Sequence, residues 1–338
     1  MLELDTIHCG NSIKLLNDAP PGWVDLCFAD PPFNIGYRYH NYDDRKDVDE
    51  YLNFSRQWMK AVHRALKPTG SFYLAIGDEF AADLCCIARR EIGFTMRNWI
   101  VWHYTFGQQT KKKFALSHTH ILYFTKQVPE AGMTNLTFNA DAVRVASARQ
   151  TRYADSRANP KGKLPDDVWI LRPQEAPYVE SSYKDVPTDG LEAAPLQFFD
   201  PDSDTWFISR VCGTFREREG WHGCQMPIGV LNRVILASSN SGDVVLDPFN
   251  GSGTTVVSAA LLDRKFVGID QSAEYVKFAN ARLRHALKAH HNGHTIETAV
   301  LDGERNSRKM TETDSLGRKR VARTRAGRSL TAIEAEAR

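Results

Sequence analysis

The sequence predicts an α/β fold in which helices cover a doubly wound, mostly parallel β-sheet. Strand-type and helix-type segments alternate in residues 1–126 and again in residues 221–300, as the crossover connections of a parallel sheet require. The 338 residues are enough for one large domain or two ordinary ones. With 42% hydrophobic and 25% charged residues, the chain has the composition of a globular protein and not of a collagen-like, disulfide-scaffold or fully disordered one.

In the first part of the chain, buried or half-buried strands are separated by turns and one helix. Four strands are predicted, at 24–29, 71–76, 98–105 and 120–125. The first ends at two prolines, which cannot donate to a strand ladder. A helix is predicted over 49–66, where aromatic and aliphatic residues recur at helical spacing, and the turn at 67–70 is predicted to stop it.

The later part of the chain repeats this alternation after an irregular middle region. Helices are predicted at 227–238, 254–262 and 272–288, and strands at 244–246 and 265–269. Between 127 and 220 the periodicity fades and Pro, Asp and Ser increase, which indicates a loop-rich insert rather than core. Beyond residue 300 little apolar content remains, and we expect a disordered tail.

Composition also restricts the class of protein. None of the six cysteines forms a C-x-x-C pair, so we expect buried free thiols and no zinc knuckle or redox motif. No apolar run approaches the length of a membrane span and the N-terminus lacks a signal-peptide pattern, which predicts a soluble, cytoplasmic chain without a membrane partner. The net charge of +2 is too small to indicate a nucleic-acid partner by itself, but its distribution is uneven, because residues 301–338 hold 10 basic residues against 6 acidic ones.

A glycine-rich turn, D-P-F-N-G-S-G-T-T at 247–255, stands between a predicted strand and a predicted helix. Gly251 and Gly253 leave room for the backbone to approach a ligand and turn into the helix, although a plain structural turn would look the same. The next strand ends at Asp270, 17 residues after Gly253, where a carboxylate can accept hydrogen bonds from ribose hydroxyls. This pair favours a nucleoside-cofactor site. The incomplete glycine pattern and the absent phosphate-loop lysine disfavour dinucleotides and ATP.

A second turn, D-P-P-F at 30–33, also follows a predicted strand. An exocyclic amine of a nucleobase is a poor nucleophile because its lone pair is delocalised into the ring. The Asp30 carboxylate and the Pro31 carbonyl could accept its two N–H hydrogens and draw the nitrogen towards a tetrahedral shape. Phe33 could stack on the base, and water exclusion by Pro32 and the ring would strengthen both hydrogen bonds.

With D-P-P-F preceding D-P-F-N-G-S-G-T, the chain resembles the S-adenosylmethionine-dependent DNA amino-methyltransferases of the β arrangement, over about residues 5–288. The resemblance implies the methyltransferase type of α/β fold, S-adenosyl-L-methionine as cofactor and double-stranded DNA as substrate. It also implies extrusion of the target base and direct in-line methyl transfer. Asp30 favours adenine N6 over cytosine N4, since relatives acting on cytosine more often have Ser there.

The resemblance assigns roles residue by residue. It makes Asp30, Pro31, Pro32 and Phe33 catalytic. It places Gln225, Asp247, Phe249, Gly251, Gly253, Thr254 and Asp270 around the cofactor. Two positions depart from the family pattern: many relatives have Lys where Met226 stands, and Gly-Asp where Gly10 and Asn11 stand.

The DNA-binding residues are predicted from charge and position. They are Lys111, Lys112, Lys113, His118, Arg144, Arg149, Arg152 and Arg157. The arginines belong to an insert that holds 11 basic residues against 15 acidic ones, so their clustering at 144–157 suggests one DNA-facing strip. His118 and His120 are either structural or lining the base pocket. Neither has cysteine or carboxylate companions at metal-ligand spacing, so we expect no metal.

The resulting division of the chain has four parts. Residues 1–126 are the catalytic half of the core, 127–220 the target-recognition insert, 221–300 the cofactor-binding half, and 301–338 a basic tail that either tethers DNA or only solubilises. A homodimer, an associated restriction endonuclease and association with the nucleoid through DNA stay open. Methylation of cytosine N4, an RNA substrate and a non-catalytic DNA-binding module are the alternatives.

Overall fold

The structure is a computed structural model that describes residues 2–36, 44–108, 112, 114, 116–126, 136–145, 147–151, 153–169, 225–296 and 299–300. Its strands are β1 Thr6–Cys9, β2 Val24–Ala29, β3 Leu66–Ile76, β4 Thr95–Gln108, β5 Leu116–Thr125, β6 Val168–Trp169, β7 Val244–Asp247 and β8 Lys265–Asp270. Its helices are α1 Ser12–Asp18, α2 Val48–Ala65, α3 Asp78–Cys86, α4 Ala148–Thr151, α5 Ile228–Ser238, α6 Thr254–Leu261 and α7 Ala273–His291.

All of these strands form one sheet in the order β1-β8-β7-β2-β3-β5-β4-β6. Only β5 runs against its neighbours β3 and β4, and every other pairing is parallel. The predicted α/β class with a mostly parallel sheet is therefore confirmed. The first and last parts of the chain meet where β2 pairs with β7, so each contributes to one continuous sheet.

Two hydrophobic layers cover the sheet, one on each face. Along β2, Leu26 and Phe28 pack with helices α5, α6 and α7, whereas Cys27 and Ala29 pack with α1, α2 and α3. This alternation follows from the period of two of a strand and explains why β2, buried on both faces, is apolar at almost every position. Among the described residues, no helix is long and apolar enough to cross a membrane.

The predicted turn at 67–70 is instead an interruption inside β3. Val24 pairs with Leu66 and Leu26 already pairs with Ser71, so the intervening residues of β3 are accommodated as a bulge. Helix α2 ends before these residues, as predicted. The strand, however, already begins at Leu66, because Leu66 pairs with Val24 of β2. Strands β4 and β5 are also longer than predicted, because they pair with each other as a hairpin.

The described part of the insert is mostly irregular, but it adds one short edge strand to the sheet, which the sequence pattern does not predict. β6 pairs in parallel with β4 through Val101 and Val168, and Phe138 stacks against Tyr123 at 6.5 Å. A strand of two residues is too short to leave a periodic signal. The rest of the insert from 170 to 220, the tail from 301, and the predicted residues Lys111, Lys113 and Arg152 lie outside the described residues.

The cysteines are only partly the buried thiols that were expected. Cys27 and Cys85 are buried and free, whereas Cys9 and Cys86 are free but exposed. Burial raises the pKa of the Cys27 thiol well above its ordinary value, with the charge of Asp247 adding to the effect.

Candidate active site

The two predicted motifs leave the sheet side by side. β2 and β7 pair in parallel through Leu26 with Val245 and Cys27 with Leu246. The D-P-P-F turn follows β2 and the glycine-rich turn follows β7, so both emerge at the carboxyl edge of adjacent strands. In open α/β sheets, this edge is where ligands bind.

A buried tyrosine holds the D-P-P-F turn through a hydrogen bond. Tyr51 near the start of α2 is fully buried and donates its hydroxyl to the carbonyl of Pro32 at 2.8 Å. Its ring packs against Phe80 of α3 at 4.5 Å between centroids. The bond holds the carbonyl next to the one assigned to the substrate amine, so Tyr51 fixes the orientation of the turn. In the sequence, Tyr51 is only one of the aromatic and aliphatic residues at helical spacing that predict the helix at 49–66.

The chain beyond Phe33 is clamped by two further side chains. Asn34 adopts a left-handed backbone with φ of 58°, and its backbone N–H donates to Asp44 at 2.8 Å. The N–H of Ile35 donates to the other oxygen of Asp44 at 3.1 Å. Asp44 is 1% exposed. Asn34 also exchanges two hydrogen bonds with the backbone of Lys46, so the exit of the catalytic turn is closely defined.

Phe33 lies against the start of α3. A Cβ added to Gly77 would stand 3.2 Å from Cδ2 of Phe33, so a side chain at 77 would press on the ring assigned to base stacking. The glycine keeps the ring and the first turn of α3 in close contact. This contact places Asp78 immediately beside the predicted base pocket.

Asp78 in turn meets two histidines of β5. Its Oδ1 lies 3.0 Å from Nε2 of His118 and 3.1 Å from Nε2 of His120, and potential ligand atoms of the three residues lie within 4.8 Å of one another. The histidines were expected to have no carboxylate companion, and that is wrong, because Asp78 reaches them from a different element. Trp99 donates Nε1–H to Nδ1 of His120 at 2.9 Å. The proton of His120 therefore sits on Nε2, which is a donor to Asp78 and not a metal ligand.

The glycine-rich turn is tied together by Asp270 at the end of β8. One carboxylate oxygen accepts the N–H of Gly251 at 2.9 Å and the other accepts the N–H of Ser272 at 2.8 Å. Gly251 and Gly253 have φ of 44° and 79°, a region that favours glycine. Asp270 therefore shapes the turn in addition to its predicted role towards a ribose.

Asp247 at the end of β7 is a fully buried carboxyl group. Burial raises its pKa to about 7, and the negative charge of Asp270 adds to this, against hydrogen bonds from Thr255 and the N–H of Phe249. Burial also raises the pKa of Asp270. Two neighbouring carboxyls, one buried and one half-buried, favour a ligand with positive charge. S-adenosylmethionine carries a sulfonium and an ammonium group, so the residues present fit the predicted cofactor.

The remaining predicted cofactor residues support the turn from both sides. Thr254 donates its hydroxyl to the carbonyl of Met226 at 3.0 Å and accepts from Arg282 at 2.8 Å. Gln225, just before Met226, is buried. Phe249 packs edge-on against Trp58 of α2, with 5.2 Å between the ring centroids. The Phe249 ring is therefore partly buried against the hydrophobic core.

The two departures from the family pattern have structural roles in this chain. The Met226 side chain packs against the core, and its carbonyl accepts a hydrogen bond from Thr254. A methionine side chain has no charge, so Met226 cannot make the charged contact to a cofactor that a lysine at this position could make. Asn11 caps α1 by accepting the N–H of Lys14 at 3.0 Å. Asn and Asp are equally good at this position, which accounts for the exchange.

The three predicted DNA-contacting arginines that lie within the described residues are paired locally. Arg144 donates to Asp141 at 2.8 Å and to the carbonyl of Gly162, and Arg157 donates to Asp155 at 3.0 Å. Arg149 also faces Asp155, at 3.9 Å. Lys112 is exposed between β4 and β5. The role of these residues towards DNA stays a prediction, and part of the positive charge of the strip is neutralised by its own aspartates.

Sequence comparison gives one family for most of the chain. Residues 24–281 match the N6/N4 methyltransferase family, described as DNA methylase. DNA adenine methyltransferase YhdJ of Escherichia coli strain K12 is 35% identical over 286 residues, which are 83% of this chain and 83% of that protein. Type II methyltransferase M.HpaI of Haemophilus parainfluenzae is 32% identical over 275 residues, 81% of this chain and 73% of its own.

Solved structures share the fold at low sequence identity. PvuII DNA methyltransferase, described as cytosine-N4-specific, aligns with a TM-score of 0.55 at 17% identity, covering 88% of this chain and 93% of its own. The complex of M1.HpyAVI with S-adenosylmethionine aligns with a TM-score of 0.52 at 18% identity, covering 82% and 98%. The adjacent motifs, the two neighbouring carboxyls and the family match agree: the chain belongs to the N6/N4 family of DNA methylases, whose methyl donor is S-adenosylmethionine.

Proposed function

We propose that the protein methylates the N6 amino group of adenine at a specific site in duplex DNA. The observation that carries this proposal is the pairing of β2 with β7, which places the turn that holds Asp30 beside the turn that holds Asp247. An amine acceptor and a positively charged methyl donor can then meet at one edge of the sheet.

The acceptor side works by positioning and electrostatics. Asp30 and the Pro31 carbonyl accept the two N–H hydrogens of the amine, which directs the nitrogen lone pair at the methyl carbon. Phe33 stacks on the extruded base and keeps water from these hydrogen bonds. Tyr51 and Asp44 hold the turn on both sides, so its groups need little rearrangement when the base arrives.

The donor side would be held by the glycine-rich turn and the two neighbouring carboxyls. Asp270 would bind the ribose hydroxyls, and Asp247 would compensate positive charge. When bound, S-adenosylmethionine supplies an electrophilic methyl group on a sulfonium. The nitrogen attacks in line, and no enzyme nucleophile is needed.

The choice of adenine rests on Asp30 and on the adenine activity named for YhdJ. Cytosine N4 is the second candidate, because the PvuII enzyme shares the fold and is described as cytosine-specific. Nucleoside analysis of duplex DNA methylated by the purified protein decides between them. We expect N6-methyladenine as the product, and N4-methylcytosine as the main product would overturn the assignment to adenine.

The DNA partner is proposed to lie over the same edge. Its backbone would contact Lys112 and the arginine strip, and the insert would select the sequence. Equal molar amounts of duplex DNA and RNA of the same sequence, offered together, test the substrate. Preferential methylation of RNA would contradict the proposal. A homodimer, a companion endonuclease and association with the nucleoid stay predictions.

A further inference from the structure

An apolar side chain stands in solvent directly after the catalytic turn. Ile35 is 67% exposed, whereas its neighbours Asn34 and Gly36 are partly buried. Single exposed apolar residues are common on protein surfaces, so this exposure carries no argument by itself. The backbone that presents Ile35, however, is closely defined.

The chain is fixed on both sides of Ile35. Asn34 and Gly36 have φ of 58° and 77°, so Ile35 lies between two residues in the left-handed region. The N–H groups of residues 34 and 35 donate to the carboxylate of Asp44, and that of Gly36 donates to its carbonyl at 2.8 Å. Because three successive N–H groups bind one buried residue, the loop keeps the Ile35 side chain directed to solvent.

The Ile35 side chain and its surroundings suit contact with a nucleic acid. Isoleucine is β-branched, so its side chain is stiff and has few rotamers. Two peptide links separate Ile35 from Phe33, so at most about 7.6 Å lie between their Cα atoms. The exposed Arg45 crosses the same loop, since a Cβ added to Gly36 would stand 2.6 Å from its Nε. A rigid apolar group and a cation therefore stand together beside the ring assigned to base stacking.

The position of Ile35 relates it to the duplex and not to the pocket interior. An extruded base stays joined to its DNA backbone, so the duplex must lie over the rim of the pocket with the vacated space towards the protein. Ile35 stands at this rim. Apolar side chains in such places insert between base steps, and nearby cations bind the phosphates.

We propose that Ile35 is a wedge that enters the duplex at the space which the target base leaves. Its side chain fills this space and contacts the neighbouring bases, which stabilises the extruded state. Arg45 lies beside the wedge on the side of the DNA backbone. This proposal rests on the proposed function, since it presupposes a base drawn from duplex DNA into the pocket beside Phe33.

A wedge acts on the extrusion of the base and not on methyl transfer itself. Extrusion costs pairing and stacking energy, and this cost is lower for a base that has no partner. Contacts made only in the extruded state shift the equilibrium towards that state. Loss of the wedge should therefore matter most where the target base is paired and least where it is unpaired.

The test compares two duplexes that differ only opposite the target base. Both carry the sequence that the protein methylates, identified by sequencing DNA that it has modified. In one duplex the target base has its Watson–Crick partner, and in the other it faces an abasic site. In single-turnover methylation, Ile35→Ala should lower the rate about tenfold on the paired duplex and less than about twofold on the other.

Two further variants separate the wedge from a general effect of substitution. Ile35→Leu keeps the apolar volume, so its rate should stay within about threefold on both duplexes. Leu287→Ala is the matched control, because it shortens a 40% exposed apolar side chain near the end of α7. This helix starts at the carboxyl edge and runs away from it, so we expect no change in rate on either duplex.

A fluorescence measurement detects extrusion directly. The adenine analogue 2-aminopurine, placed at the target position of the paired duplex, brightens when it leaves the stack of bases. Ile35→Ala should brighten it less than the unchanged protein does, with the same cofactor affinity and thermal unfolding. Equal brightening, an equal loss of rate on both duplexes or a full rate on the paired duplex would overturn the proposal. Failure of the proposed function is distinct, because the unchanged protein would then methylate neither duplex.

Discussion

The turns after β2 and β7 lie side by side but are built in different ways. The β7 turn is shaped largely by its own backbone: its two glycines take left-handed conformations, and Asp270 of the next strand binds the N–H of Gly251. The β2 turn is held by side chains from other elements, Tyr51 of α2 and Asp44 before it. A turn that is shaped by its own backbone can be identified from a short contiguous motif. The β2 turn instead depends on side chains that are distant in sequence and come close only in the folded protein.

This difference matches the tasks proposed for the two turns. The β7 side presents backbone and two neighbouring carboxyls, which suit a cofactor that is the same in every reaction cycle. The β2 side must hold polar acceptors and a ring in place while a large base enters. Because separate elements hold the β2 turn, its acceptor groups can be fixed in place while the pocket stays open for the base to enter.

Removal of the acceptor carboxylate from the β2 turn has the largest expected effect. We expect Asp30→Ala to reduce methyl transfer by at least about 100-fold, because one of the two groups that polarise the amine is lost. Cofactor affinity should stay within about twofold, since Asp30 is on the β2 side. Calorimetric titration with S-adenosylmethionine and a single-turnover assay measure the two effects, and substantial residual turnover would remove Asp30 from catalysis.

The reciprocal change is made on the β7 side. Asp270→Ala should weaken cofactor binding by about 1 to 3 kcal/mol through the lost charged hydrogen bonds. The loss includes the bond to Gly251 that shapes the turn. Asp263→Ala, an aspartate in the loop before β8, is the control. Unchanged affinity of the Asp270 variant in calorimetry would exclude this carboxylate from the cofactor site.

Most of the fold could be predicted from local patterns. β2 was predicted with the bounds that the structure shows, because Val24 to Ala29 is apolar on both faces and stops at prolines. The sheet extension by β6 could not be predicted, since it has only two residues, Val168 and Trp169, and they pair with β4, which lies far earlier in the chain. Strand propensity depends on the partner strand, so a segment this short leaves no local signal.

The site shows the same limit. Both motifs could be identified because each is a contiguous stretch of sequence. Asp78, however, is 40 residues from His118 and resembles an ordinary acidic residue at the start of a helix. Likewise Asp44 carries no local signal that it binds the backbone after Phe33. Residues that support a site through tertiary contacts are found only when the elements are assembled.

The buried carboxyl of the β7 side makes cofactor binding dependent on pH. Burial raises the pKa of Asp247 to about 7 in the folded protein, and the ionised form is the one that favours a cationic cofactor. Cofactor affinity should therefore rise with pH up to about 7 and level off above it. For stability the sign is opposite: the folded state holds the extra proton, so this group's contribution decreases from about pH 4 to 7.

Asp247→Asn separates these two effects. The amide keeps an oxygen for the N–H of Phe249 but removes the buried charge, so at pH 8 we expect a higher melting temperature and weaker cofactor binding. The slope of affinity against pH should also flatten. Calorimetry at pH 6, 7 and 8 with thermal unfolding checks this, and an unchanged slope in the variant would assign the proton to another group.

The smallest expected effect concerns the support of the β2 turn. Tyr51→Phe keeps the ring against Phe80 and removes only the hydroxyl that binds the Pro32 carbonyl. A neutral hydrogen bond contributes about 1 kcal/mol, which corresponds to roughly a fivefold loss of methyl transfer if the bond orients the turn. Cofactor affinity should not change, because the β7 turn makes no use of Tyr51. Tyr73→Phe is the matched control: it removes a buried hydroxyl bound to Ser238, away from the turn. If both variants lose stability equally and neither loses rate, Tyr51 stabilises the fold without positioning the catalytic turn.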